Sequence, residues 1–289
     1  MLHQHNHSKK LGIGIFLNLL ITAIEYLAGF FSGSLALISD ASHNLTDALS
    51  LIVASVAEKV SQRRSTKAKT YGYARATILG ALLNTLVLFV LAIYIFYEAF
   101  ERFQNPKEVD YLIVIIVGFA TAIFNGIMAY LFSKDKKDLN MRGVFFHHFY
   151  DALSSIGALI GGILIYFTSN PLFDILISIL IGVLMIISGW SLMTKTLHVL
   201  LEGVPDGIDY EEVENSILCL PRVKSIHDLH IWSVSSHFVS LSCHVLIDAG
   251  DQAKSQRITN DVKNILINKF QVNHSTIEIE MVKCKNGIC

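Results

Sequence analysis

Charge is scarce in this chain. Of its 289 residues only 16% are Asp, Glu, Lys or Arg, and 52% are hydrophobic, where an ordinary soluble domain carries about 25% charge. The shortage excludes a single soluble fold, and most of it falls before Leu200. The 23 basic and 24 acidic side chains leave a net charge of -1. No basic stripe results, so nucleic acid is excluded as a partner. The four cysteines, with Cys284 and Cys289 close to the C-terminus, do not make a disulfide framework. A cleavage site for small residues is also missing after the first apolar run, which follows Lys9-Lys10. That run is therefore expected to stay in place as a span.

Long apolar runs are plentiful instead. Six of them, Leu11–Phe31, Ser34–Glu58, Ala76–Tyr97, Tyr111–Phe132, Val144–Phe167 and Leu172–Met193, each reach the roughly 20 residues that cross ~30 Å of hydrocarbon. Before them, residues 1–10 carry His3, His5 and His7 and read as a mobile start, either plainly polar or a weak metal trap. The connections alternate in character. Lys59, Arg63, Arg64, Lys67 and Lys69 fill one loop and Lys134, Lys136, Lys137 and Arg142 another, while the other loops hold only Arg102 and Lys107. Basic loops stay inside, which predicts a multi-pass cell-membrane protein with both termini cytoplasmic.

Against this apolar background the charges in the second and fifth runs stand out. His43 and Asp47 are four apart, and the spacing recurs in His147 and Asp151. On a helix such pairs share one face. A charged group inside a membrane helix is costly and marks a functional site. Two imidazoles and two carboxylates are a complete shell for a divalent metal of the zinc type. Both pairs lie roughly 12–16 Å from the cytoplasmic ends of their helices at ~1.5 Å per residue, so they meet at one depth if the helices are neighbours. The sequence thus predicts a metal transporter.

The other polar residues in the spans have plainer readings. Asn18, Asn84 and Asn125 are expected to hydrogen-bond between helices. Glu25 must be paired or protonated in lipid, and a place on a proton or metal path stays open for it. Asp174 sits where a carboxylate favours the start of its own helix. Asp40, one turn before His43, supports the site or lines its gate. His148 points about 100° away from His147 and reads as a packed or interhelical histidine. Gly157 and Gly161 form a small-residue face for close packing beside the site.

From Thr194 onward the composition is that of a soluble domain. Asp209–Cys219 and Asp251–Phe270 read as helices, and Val223–Val234, Phe238–Asp248 and Ser275–Val282 as strands. The order α-β-β-α-β predicts a small α+β domain with its helices on one face of a sheet. It is rich in potential ligands: His227, His230, His237, His244, His274, Glu278 and Glu280. Cys219 reads as a buried helix residue. Cys284 and Cys289 are a possible further metal pair if other ligands join them.

These segments together resemble the cation diffusion facilitator family of divalent-metal transporters over nearly the whole chain. Ser34-Leu35-Ala36-Leu37 with Asp40-Ala41, His43 and Asp47 is similar to that family's second transmembrane helix, and His147 with Asp151-Ala152-Leu153 to its fifth. Tyr71-Gly72-Tyr73 with Arg75, Glu202-Gly203-Val204-Pro205 and His227-Asp228-Leu229-His230-Ile231-Trp232 resemble further signatures. The resemblance implies six transmembrane helices (11–195) and a cytoplasmic metallochaperone-like domain (196–289) that binds metal and dimerises. It implies Zn2+ export in exchange for protons by a homodimer, with His43, Asp47, His147 and Asp151 as transport ligands. For the cytoplasmic domain it suggests His227, His244, His274 and Glu280, with Cys284 and Cys289 closing a second site. The chain departs from the family in three places. Ser133–Arg142 lacks the histidines of many members, Lys59–Ala74 has no His or Asp for an auxiliary site, and Thr77 stands where Glu is common.

Two rival readings come from other classes. An intramembrane metalloenzyme needs an open metal position and a general base, but a four-ligand shell leaves none and no His-Glu-x-x-His occurs. A membrane metal sensor that does not transport would leave the costly charges at matched depth without a purpose.

Overall fold

The computed structural model describes residues 2–133, 139–235 and 238–282, with side chains for all of these except 2–16, 132, 139–144 and 252. Six long helices come first: α1 (Leu2–Ser32), α2 (Leu35–Ser61), α3 (Ala76–Gln104), α4 (Tyr111–Phe132), α5 (Leu139–Thr168) and α6 (Leu172–Leu200). Their positions follow the six expected runs, although α1 begins at Leu2 rather than Leu11. By length and apolar composition α3, α4, α5 and α6 can each cross a membrane, and the described part of α1, Leu17–Ser32, is a shorter apolar helix. α2 has 27 residues, and its apolar character is broken by the polar group around His43. The chain forms two compact units, Met1–Val53 with Leu83–Ser191, and Ala54–Leu82 with Leu192–Cys289.

In the first unit the helices turn apolar side chains outward as well as inward. Phe30, Val90, Ile93, Phe119, Leu176 and Ile187 are all exposed, which suits hydrocarbon as the solvent. Between helices small residues set the spacing. A Cβ added at Gly118 of α4 would lie 3.1 Å from the backbone nitrogen of Leu159, and one at Gly162 would meet Ile115 at 3.0 Å. The two glycines therefore let α4 and α5 approach closely. The Gly157 and Gly161 face read from the sequence instead meets Ile177 of α6. α3 packs on α6 through Leu88, Ala92, Ile95, Ile181 and Met185.

A polar knot closes the link between α1 and α2. Gly33 takes a left-handed φ of +70° there, and a Cβ would stand 2.7 Å from the Glu108 carbonyl, so only glycine fits. Asp174 accepts from Ser34 Oγ at 2.5 Å, Leu35 N at 2.6 Å and Ala36 N at 3.3 Å. It thereby caps the start of α2 and satisfies donors that the helix itself cannot. The sequence position of this carboxylate suggests the dipole of its own helix, but its hydrogen-bond partners are in the start of α2. Arg102 donates to the Gly33 carbonyl and pairs with Glu98 at 2.9 Å.

The second unit holds the α+β fold. α7 (Tyr210–Leu218), β1 (Val223–Ser235), β2 (Phe238–Ile247), a short 3-10 turn, α8 (Ser255–Phe270) and β3 (His274–Glu280) follow in order. The sheet order is β1-β2-β3, with β1 antiparallel and β3 parallel to β2. The parallel pair requires a crossover, which α8 supplies. Val213 and Ile217 of α7 and Ile258, Val262 and Leu266 of α8 bury against Leu241, Cys243, Val245 and Ile247 of β2. Alternation along β2 turns the remaining residues, His244 among them, to the opposite face of the sheet.

Cys219 is exposed, contrary to the sequence reading, because it caps the end of α7 instead of lying on its buried face. Cys243 is in the core, and burial pushes its thiol up to about 12. Alkylation needs the thiolate. In a Cys284→Ser, Cys289→Ser variant at pH 8, iodoacetamide is expected to label Cys219 alone, with a second label appearing only in denaturant. Two labels on the folded chain would contradict the core position of Cys243.

Candidate metal centres

On α2 the four-residue spacing puts His43 and Asp47 on one face, and on α5 it does the same for His147 and Asp151. The fold turns those faces toward each other. His43 Nε2 lies 3.7 Å from Asp47 Oδ2 and 4.0 Å from Asp151 Oδ1. His147 places Nδ1 3.4 Å from Asp47 Oδ2 and Nε2 3.5 Å from Asp151 Oδ2. These separations exceed a good hydrogen bond. Taken pair by pair they come near the roughly 3.3–3.6 Å expected between neighbouring donors on a tetrahedral ion with bonds of about 2.0–2.2 Å, although His147 turns a different nitrogen to each carboxylate. The donor atoms fall into two trios, each within 4.8 Å: His43, Asp47 and Asp151, and His147, His148 and Asp151. Asp151 belongs to both and is 1% exposed.

His148 is buried, as a packed histidine would be, yet its Nδ1 stands 3.8 Å from Asp151 Oδ2. Its direction, away from His147 on the helix, suggests packing alone. Its i,i+3 relation to Asp151 was the signal that could have found it.

Polar neighbours steady the site. Ser155 Oγ lies 2.9 Å from Asp40 Oδ2 and 3.0 Å from the Asp151 carbonyl, so one hydroxyl is shared between α2 and its own helix. Asn44 Nδ2 donates to Glu25 Oε2 at 3.1 Å, which joins α2 to α1 through a fully buried carboxylate. Ser50 Oγ donates to Asn84 Oδ1 at 2.5 Å, an interhelical bond of the expected kind. Thr22 Oγ1 donates to the Asn18 carbonyl within α1. Asn125 is buried with no hydrogen bond to its amide among the described residues, so it does not serve as expected.

A second cluster lies on the open face of the sheet. His227 is opposite His244 in the β1–β2 register, and His244 is opposite Glu278 in the β2–β3 register. Two residues along from Glu278 on the same face, Glu280 reaches both histidines. Its Oε1 accepts from His244 Nδ1 at 2.6 Å, and its Oε2 lies 3.3 Å from His227 Nε2. Asp228 joins them with Oδ2 3.7 Å from His244 Nε2. It does so because β1 bulges between His227 and His230 and Asp228 takes a left-handed φ of 53°, which Asp tolerates better than most residues. Sequence alternation gives no sign of such a bulge. His274 does not join: it pairs with Ser240 at the far end of β3, six residues or about 20 Å from Glu280. His230 is exposed and faces Asp228 at 3.0 Å. His237, Cys284 and Cys289 lie outside the described residues, as do the side chains of His3, His5 and His7.

The signatures that flank these clusters also meet within the second unit. Arg75 pairs with Glu202 at 3.0 Å, and the Tyr71 ring stands edge-on to Phe238 at 6.3 Å. Gly203 leaves room for His198, whose ring touches the Val204 carbonyl at 2.8 Å.

Residues 11–201 match the cation efflux transmembrane domain, and residues 205–282 match the cation efflux protein cytoplasmic domain. The chain is 38% identical over 290 residues to the metal cation efflux system protein CzcD of Cupriavidus metallidurans, covering 99% of this chain and 92% of that protein. It is 35% identical over 287 residues to the cadmium, cobalt and zinc/H(+)-K(+) antiporter of Bacillus subtilis, covering 96% and 91%. With the zinc transporter ZitB of Pectobacterium atrosepticum it shares 33% over 298 residues, covering 100% and 92%. Helices fit for a bilayer, donors gathered between α2 and α5 and both domain matches lead to one conclusion: the chain belongs to the cation efflux, or cation diffusion facilitator, family of multi-pass membrane transporters that export metal cations and are not enzymes.

Proposed function

We propose that this chain exports Zn2+ from the cytoplasm in exchange for protons, with His43, Asp47, His147 and Asp151 as the transport ligands. The observation that carries the reading is the convergence of these four side chains from α2 and α5 within the membrane unit. Imidazole and carboxylate bind a metal ion only when deprotonated, so cation and protons compete for the same atoms. A site that sheds protons on loading at one side and regains them on release at the other couples the two flows. Rocking of helices around a fixed site supplies the alternating access. Relatives named as a zinc transporter and as a cadmium, cobalt and zinc antiporter support both the cargo and the exchange. Two histidines among the four donors favour zinc, where a shell of carboxylates alone suits harder ions.

The basic loops orient both termini to the cytoplasm, in a cell-membrane homodimer joined through the cytoplasmic domain. There His227, His244 and Glu280 bind Zn2+ with a regulatory or structural role, and Cys284 and Cys289 are a possible second site.

Zinc uptake into inverted vesicles under an imposed proton gradient tests the reading, with wild type beside Asp151→Ala. Gradient-driven uptake that is lost in the variant is the expected result. Equal uptake in both would move the pathway elsewhere, and no uptake with metal still bound would restore the sensor reading. In the same assay, His43→Asp or His147→Asp is expected to widen metal preference toward cadmium, cobalt or manganese. An unchanged preference would refute selection by histidine.

A further inference from the structure

We propose that His148 is a fifth transport ligand, forming with His147 and Asp151 a three-donor site on α5 alone that receives the cation as α2 draws away. The inference rests on the transport reading above and concerns how the ion leaves the shared site. His147, His148 and Asp151 stand at i, i+1 and i+4, so the two imidazoles approach one carboxylate from two sides. Asp151 Oδ2 lies 3.5 Å from His147 Nε2 and 3.8 Å from His148 Nδ1. Both separations are longer than a hydrogen bond and close to the spacing of neighbouring donors on one ion.

Two features mark this trio as a hand-over point. Asp151 turns Oδ1 toward His43 and Oδ2 toward both histidines of α5, so it belongs to either set without moving its helix. His147 faces Asp47 with Nδ1 and Asp151 with Nε2. One imidazole cannot give both nitrogens to the same ion, so its ring stands at the junction of two ligand sets. If α2 and α5 part during transport, an ion held by two donors from each helix loses half its shell at once. With His148, α5 alone offers three donors, and the ion passes by replacement of His43 and Asp47 with a single imidazole. No bond of the protein breaks.

The test uses the full chain in lipid nanodiscs, with His227→Ala, His244→Ala, Cys284→Ser and Cys289→Ser to silence the metal sites outside the membrane unit and Co2+ as the spectroscopic probe. Adding His43→Ala and Asp47→Ala removes both α2 donors. One Co2+ is then expected to remain, bound about tenfold or more weakly, with absorption bands of a low-coordinate site. A further His148→Gln, which keeps a polar side chain of similar length, is expected to abolish it. Loss of the ion before His148 is touched, or indifference to His148→Gln, would overturn the proposal. Absence of a membrane-bound ion even with all five donors present would overturn the transport reading itself.

Discussion

Carboxylates in a membrane helix are tolerable only in company. Asp47 and Asp151 come from different helices, and each stands beside imidazoles. A single ion placed among them would offset two charges that hydrocarbon cannot solvate. Much of the first unit follows from keeping α2 and α5 side by side at this level. The Asp174 cap holds the start of α2, and the Ser155 hydroxyl stands between Asp40 and the backbone of α5. Gly118 and Gly162 let α4 lie close against α5, so α5 is backed by a helix with few polar groups of its own.

The sheet cluster obeys a different economy. Its donors sit on the face of the sheet away from α7 and α8, and they are shielded chiefly by one another: Glu280 is 9% exposed and His244 15%. Register sets His227 opposite His244, Glu280 reaches both from two residues beyond the position opposite His244, and its contact with His244 is short enough to be a hydrogen bond.

The architecture was largely legible in the sequence because bilayer thickness and the cost of buried charge leave few choices. The six spans and the two pairs at four-residue spacing are direct consequences of those constraints, and the order of the soluble elements follows from their periodicity. What was not legible depended on three-dimensional neighbours. Asp174 looked like a cap for its own helix, and only the packing shows that it caps α2. His148 points away from His147 along the helix, which suits packing, while its i,i+3 reach to Asp151 depends on the rotamers that the packed helix selects. Asp228 enters the sheet cluster through a bulge that pattern does not reveal. His274 shares a face with Glu280 but not an end of the strand, and Cys219 lies past the end of the buried stripe on α7.

The central claim, that paired donors from α2 and α5 hold the transported ion, is tested most directly by zinc K-edge absorption. The sample is the protein with His227→Ala, His244→Ala, Cys284→Ser and Cys289→Ser, loaded with one Zn2+ per chain. The account expects nitrogen and oxygen neighbours at about 2.0–2.2 Å, outer-shell scattering from two imidazoles, and loss of that spectrum in Asp151→Ala. A spectrum without imidazole scattering, or an identical spectrum from the Asp151→Ala variant, would contradict it.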